Sequence, residues 1–212
     1  MTELVENSSD PLLAILISGR GSNMQALINA GRAGQLEATI RVVISNDPDA
    51  PGLARAREAG IETLVMPHRA VASHDDYDRA LIGELAARGV SLVCLAGFMR
   101  RLGATFCAAY PNAILNIHPS LLPAFPGLDA QRQALQYGVR VSGATVHFVT
   151  PELDAGPIVM QEPVPVLDGD TVEALADRIL AVEHRLYPAA VRRIRGGGWR
   201  IEGRRVRFDA NG

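Results

Sequence analysis

The sequence predicts an α/β fold: an open, mostly parallel twisted sheet with helices on both faces and antiparallel strands towards the C-terminus. Three observations predict it. Short apolar runs of strand length alternate with stretches of helical periodicity from residue 11 to about residue 110. Several runs are apolar at successive positions, as in strands buried on both faces inside a parallel sheet. Glycine- or proline-containing turns punctuate the changes of period. With 212 residues, 48% hydrophobic and 21% charged, the chain can bury one sizeable core and reads as a single domain over 1–212.

Residues 1–10 are acidic and lack the basic start of a signal peptide, so a poorly ordered tail is expected there. Residues 11–18 read as the first buried strand, a run far too short to cross a bilayer. Gly19-Arg-Gly-Ser-Asn23 then turns into a helical pattern that starts at Met24. Such a turn directs free backbone N–H groups, and the positive end of a helix dipole, at whatever lies above the sheet. That suits a phosphate, although a plain tight turn explains the same residues equally well. Met24 stands where G-x-G-x-x-G needs its third glycine and no GK[ST] follows, so dinucleotide and ATP motifs are absent.

A second strand is expected at 40–45, turn chemistry at 46–52, a helix over 53–59 capped by Gly60, and a third strand at 61–66. Ser73 reads as an N-cap, with Asp75 and Asp76 favouring the dipole of a helix that runs through Tyr77, Leu81, Ile82 and Leu85 to Gly89. A fourth buried strand falls at 90–96, a loop at 97–102 and a short helix at 105–110. Ligands bind beyond the carboxyl ends of strands in such sheets. The 19–23 turn, the 97–102 loop and His118 all fall there, so one cleft could collect them.

Residues 113–118, AILNIH, form an apolar strand broken by two polar side chains. Positions i and i+2 share a side of a strand, so Asn116 and His118 project together, and Pro119 biases His118 towards an extended backbone. A carboxamide that can donate to an oxyanion, beside an imidazole that can hold or release a proton, is equipment for acyl transfer. A strand at 141–149 places Gly143, Thr145 and His147 on one side and Ala144, Val146 and Phe148 on the other. Residues 151–157 form a loop, 158–166 a proline-containing edge strand, and Asp170 or Thr171 opens a helix with Val172, Leu175, Ile179, Val182 and Leu186 on one face. Residues 199–208 alternate about Gly203 like a solvated, Arg-rich edge hairpin.

Lys+Arg 21 against Asp+Glu 23 leaves a net charge of −2, which argues against non-specific nucleic-acid binding. Cys94 and Cys107 have no CxxC spacing and read as two buried free thiols. No HExxH, paired Cys/His or G-x-S-x-G pattern occurs, so no metal site or serine elbow is expected. Asp154 alone reads as a turn residue; a carboxylate near His118 would favour the imidazolium form that a proton donor needs. Glu183 reads by itself as an exposed helix acid, and His68, His74 and His184 as surface residues needing no role.

Taken together, ILISGRGSNMQALI, VISND, LAGFMRRL, ILNIHPSLLPAFPGL, SGATVHFVTPELDAGPIVMQ and EHRLYP closely resemble the glycinamide ribonucleotide formyltransferases. These are folate-dependent enzymes of purine biosynthesis within the wider formyltetrahydrofolate-using superfamily. The resemblance runs in order from about Leu13 to Pro188. It implies a Rossmann-like formyltransferase domain that moves the formyl group of 10-formyltetrahydrofolate, a co-substrate, onto the primary amine of 5'-phosphoribosylglycinamide.

The resemblance also implies that Asn116, His118 and Asp154 are catalytic and that Gly21, Ser22 and Asn23 hold the ribonucleotide phosphate. Met99, Arg100, Arg101 and Leu102, with Asn116 and with Thr150, Pro151, Glu152, Leu153 and Asp154, would wall the folate pocket. Leu180, Ala181, Val182 and Glu183 would face the glycinamide end, which reverses the surface reading of Glu183. Arg101 stands where an apolar residue is familiar, so its side chain is expected to point outwards. His74 stands where some members place an Arg on the folate tail.

On the same resemblance, 11–100 is the nucleotide-binding half, 101–190 the catalytic and folate-binding half, and 191–212 the hairpin. The expected partners are small molecules, with no nucleic acid, membrane or metal. The expected setting is a cytoplasmic monomer or homodimer. The rivals are a formyltetrahydrofolate hydrolase, whose relatives carry an extra N-terminal domain, and a formyltransferase acting on aminoacyl-tRNA, which adds a basic C-terminal domain. A folate- or nucleotide-binding module without activity is a third, which would need no aimed imidazole.

Overall fold

The computed structural model describes residues 11–67 and 73–209; the expected N-terminal tail and His68 lie outside the described residues. The described residues form one nine-stranded sheet in the order β3-β2-β1-β4-β5-β6-β7-β9-β8. Its first half is β1 (Leu12–Ile17), β2 (Thr39–Ser45), β3 (Glu62–Val65), β4 (Val90–Leu95) and β5 (Ile114–His118). All pairings among these five are parallel. They are linked by α1 (Ser22–Arg32), α2 (Pro51–Glu58), α3 (His74–Ala87) and α4 (Ala104–Ala109). The second half is α5 (Ala130–Tyr137), β6 (Val141–Phe148), β7 (Ile158–Pro165), α6 (Val172–Arg195), β8 (Trp199–Glu202) and β9 (Arg205–Phe208). The sheet reverses direction at β5, which pairs antiparallel with β6.

The unbroken apolar run of β1 has the physical consequence expected of it. Leu13, Ile15 and Ile17 pack into one core with Leu27 of α1, Leu53 of α2 and Leu175, Ile179 and Leu186 of α6. Ala14 and Leu16 point the other way, into a second core with Tyr77, Leu81 and Leu85 of α3 and Phe106 of α4. Period-two alternation thus feeds two helical layers from one strand. Ser73 caps α3 by accepting from the backbone N–H of Asp76, and Thr171 caps α6 by accepting from Ala174.

Four features depart from the sequence expectations. The sequence pattern does not predict α5: its fully buried positions are only Ala130 and Ala134, one helical turn apart, which leaves a weak apolar signal over eight residues. β7 is not wholly an edge, because Ile158 pairs with Arg205 of β9. Its prolines lie beyond that contact, where a missing N–H leaves no ladder bond unmade. α6 continues through Pro188 to Arg195, past the start expected for the last segment at 191. A helix tolerates one lost N–H when buried residues on both sides, here Tyr187 and Val191, hold it in place. Cys107 is half-buried rather than buried, since Phe106 takes the inward position on α4; Cys94 is buried, and both thiols are free.

Candidate active site

β1, β4 and β5 are neighbours in the sheet, so the loops at their carboxyl ends meet. After β1, Gly21 takes φ 70° as the N-cap of α1, a left-handed conformation that suits glycine. A Cβ there would lie 3.1 Å from the Cα of Gly52, and the Gly52 N–H donates to the Gly19 carbonyl at 3.0 Å. The turn is thereby pressed onto the start of α2. After β4, the Met99 N–H donates to Ser18 Oγ at 2.8 Å, and Ser18 Oγ donates to Asn46 Oδ1 at 2.5 Å. Ser18, unremarked in the sequence, therefore joins the two loops. A cavity of about 270 Å³ opens between Gly19–Asn23 and Ala96, Gly97 and Met99. A larger groove, about 740 Å³, runs between α1 and α6 past Gln25, Arg55 and Arg192. The smaller one is lined by the whole glycine turn and its backbone donors, so it is the better candidate for a phosphorylated ligand.

Glu183 is not an exposed helix acid. It is 6% exposed, and its Oε2 accepts from Asn23 Nδ2 at 2.7 Å. Burial pushes its carboxyl up to about 7, against the opposing effect of the Asn23 hydrogen bond. Leu180 shares its face at i−3, and Val182 is buried beside it, whereas Ala181 stands about half a turn away and is exposed. His184 is half-buried in the α1–α6 groove rather than on the open surface, and that burial lowers its pKa.

Asn116 and His118 occupy the end of β5, opposite His147 and Thr145 of β6. His118 is 4% exposed; its Nδ1 lies 3.5 Å from Asp154 Oδ2 and its Nε2 lies 2.9 Å from the Phe125 carbonyl. A carbonyl only accepts, so Nε2 carries a hydrogen. Asp154 sits at φ 48°, and its Oδ2 accepts the Gly127 N–H at 2.7 Å. Loop 119–128 thus supplies a carbonyl to His118 and an amide to Asp154. Asn116 Nδ2 lies 3.2 Å from His147 Nε2, and Asp154 Oδ1 lies 3.8 Å from the same nitrogen. Asp154, distant in sequence, is thus gathered with the neighbouring pair Asn116 and His118, and His147 is a fourth. His147 carries no local signal: Asn116 meets it only after β5 and β6 pair in this register.

The 97–102 loop and the 150–154 loop face each other. Arg101 is exposed, and its Nη2 donates to the Pro151 carbonyl at 2.8 Å, tying the two together. Met99 and Leu153 expose apolar side chains on either loop, and Leu102 is buried. Arg100 turns away, its guanidinium 4.3 Å from the centre of the Tyr77 ring. Thr150 Oγ1 lies 3.4 Å from the Glu152 carbonyl, and the Pro151 and Glu152 side chains are exposed. His74 is half-exposed at the start of α3, its Nδ1 3.7 Å from Asp78 Oδ2. Asp78, its carboxyl raised by burial, accepts the Gly103 N–H at 2.7 Å and so pins the far end of the 97–102 loop.

The chain matches the formyl transferase family over residues 12–191. The chain belongs to that family. Among formyl transferases, it is 45% identical over 192 residues to the phosphoribosylglycinamide formyltransferase of Escherichia coli (strain K12), covering 91% of this chain and 88% of that protein. The crystal structure of glycinamide ribonucleotide transformylase 1 from Symbiobacterium toebii has a TM-score of 0.94 to it, at 54% identity and 98% coverage of both chains. The trifunctional purine biosynthetic protein adenosine-3 of Gallus gallus is 47% identical over 89% of this chain, and the chain spans only 19% of that longer protein. The family match ends within α6, so the β8–β9 hairpin lies beyond it. Among the described residues no helix is long and apolar enough to cross a membrane.

Proposed function

We propose that this chain transfers the formyl group of 10-formyltetrahydrofolate to the primary amine of 5'-phosphoribosylglycinamide, yielding formylglycinamide ribonucleotide and tetrahydrofolate in purine biosynthesis. The observation that carries this reading is the gathering of Asn116, His118 and Asp154 about His147, on a strand that β4 alone separates from the strand leading into the glycine turn. In it, Gly21, Ser22 and Asn23 hold the phosphate, and Glu183, with Leu180, Ala181 and Val182 around it, faces the glycinamide end. The loops carrying Met99, Arg100, Arg101 and Leu102 and Thr150, Pro151, Glu152, Leu153 and Asp154 hold the folate between them. The exposed Met99 and Leu153 side chains and the backbone groups beside them fit a flat heteroaromatic ring. His74, tied to Asp78, is left with at most an outer contact to the folate tail.

The chemistry follows from the donors. The amine lone pair adds to the formyl carbon, and the carbonyl electron pair moves onto oxygen. Asn116 donates an N–H to that oxyanion. His118 donates another by exchanging the Phe125 carbonyl for it. Asp154 balances the imidazolium charge and orders a water through which one proton passes from the attacking nitrogen to N10. The carbonyl then reforms, the bond to N10 breaks and its electron pair takes that proton. Positioning and electrostatic stabilisation supply the rate, with no covalent enzyme intermediate. The chain acts on small molecules in the cytoplasm, as a monomer or homodimer, over one domain with its nucleotide half at 11–100 and its folate half at 101–190.

The test is formyl transfer assayed with and without glycinamide ribonucleotide. Folate turnover that depends on the ribonucleotide supports the transferase; equal turnover in its absence supports a hydrolase instead.

A further inference from the structure

Asn116 can serve an oxyanion only if its amide nitrogen, not its oxygen, faces the charge. The two ends of a carboxamide have nearly the same shape, so packing alone does not choose between them. His147 makes the choice. Its ring is 2% exposed on β6, directly across the antiparallel ladder from Asn116. Its Nδ1 lies 2.8 Å from the Phe148 carbonyl, which can only accept, so Nδ1 carries the hydrogen. Burial lowers the pKa of the ring and favours its uncharged form, and a charged His118 nearby acts in the same direction. The Phe148 carbonyl hydrogen bond and the Asp154 carboxylate pull the other way, but desolvation is the largest effect and Asp154, 3.8 Å from Nε2, is beyond hydrogen-bond length. An uncharged ring with its hydrogen on Nδ1 leaves Nε2 as a bare acceptor, 3.2 Å from the Asn116 amide.

We propose that His147, as the Nδ1–H tautomer, is a positioning residue that accepts one N–H of Asn116 and so fixes the amide with its other N–H free for the formyl oxyanion. His147 acts through Asn116 and has no contact of its own with the reacting atoms. The catalytic part of the inference rests on the transferase reading above; the tautomer does not.

Two measurements test it. In protein carrying ¹⁵N-histidine, the nitrogen shifts of His147 at neutral pH should report a protonated Nδ1 and a bare Nε2. A proton on Nε2 overturns the proposal, whatever the enzyme's activity. In kinetics, His147→Phe keeps a ring but removes the acceptor, and should lower kcat on the order of 10- to 100-fold. KM for both substrates should stay within about threefold, because ground-state binding is untouched. His147→Gln, whose amide oxygen can accept from Asn116, should recover most of the loss. In an Asn116→Ala background, His147→Phe should change kcat by less than about twofold, since two residues acting as one unit are not additive. A full loss in that background overturns the proposal, as does a folded Gln variant no better than Phe. If His147→Phe fails to fold, the nitrogen shifts and the Gln variant still decide. If the unsubstituted protein transfers no formyl group, the function above fails while the tautomer measurement stands apart.

Discussion

Asn23 Nδ2 donates to Glu183 Oε2 at 2.7 Å, joining the glycine turn after β1 to the long helix α6 across 160 residues of sequence. The pairing has a thermodynamic signature. Burial raises the Glu183 carboxyl from its ordinary 4.5 to about 7. In the unfolded chain the group loses its proton near 4.5, while the folded chain keeps it to about 7. Its contribution to stability is therefore full below 4.5 and is lost as pH rises through about 7. The ceiling on that loss is roughly 3 kcal/mol. Glu183→Gln removes the titration and should flatten this part of the profile, so that the variant gains on the parent between pH 4.5 and 7.5 in urea denaturation. Parallel profiles for the two proteins would show that Glu183 is not buried as a titrating acid.

The exposed Arg101 guanidinium bridges the 97–102 and 150–154 loops, which hold the folate in the proposed function, through the Pro151 carbonyl. Arg101→Ala should raise KM for the folate by about 3- to 10-fold, the worth of one partly screened charge-assisted hydrogen bond. KM for the ribonucleotide and the melting temperature should hardly move. An equal rise in both KM values would point to a general loosening of the site instead.

Gly156 follows Asp154 in the loop that carries it. A Cβ on Gly156 would lie 1.8 Å from the Phe148 carbonyl oxygen, a clash with backbone that cannot yield. Gly156→Ala is expected to destabilise the fold by about 3 kcal/mol or more, read as a lower denaturation midpoint. At Gly169 an added Cβ meets nothing within 4 Å, so Gly169→Ala should stay within about 0.5 kcal/mol of the parent.

The two thiols should behave differently. Cys94 is fully buried in β4, and burial pushes its thiol up to about 12, so it should resist alkylation until the protein unfolds. Cys107 is only half-buried, although its thiol is also raised, and should react slowly in the native state. Native labelling of Cys94 at the rate of Cys107 would contradict the packing described for the sheet.

What the sequence made legible is what local chemistry determines. The two-faced burial of β1, the Ser73 cap and the shared side of Asn116 and His118 all follow from neighbours within four residues. Long-range pairing is another matter. His147 was one polar residue on a strand until the β5–β6 register set it against Asn116, 31 positions earlier in the chain. Ser18 read as the end of an apolar run, and only the neighbouring position of β4 gives it Met99 to hold. Helical periodicity alone leaves Glu183 exposed, the family resemblance turns it inwards, and the contact that buries it comes from α1. α5 leaves little periodicity in the sequence because its buried alanines cover little surface.

In the proposed function, a carboxamide at the end of β5 stabilises the charge formed on a formyl oxygen. The most direct measurement is kcat for Asn116→Ala with both substrates saturating, alongside a melting curve to show that the fold persists. A loss on the order of 100- to 1000-fold is expected, as for other oxyanion donors. A loss of less than a few-fold in a folded protein would contradict the claim.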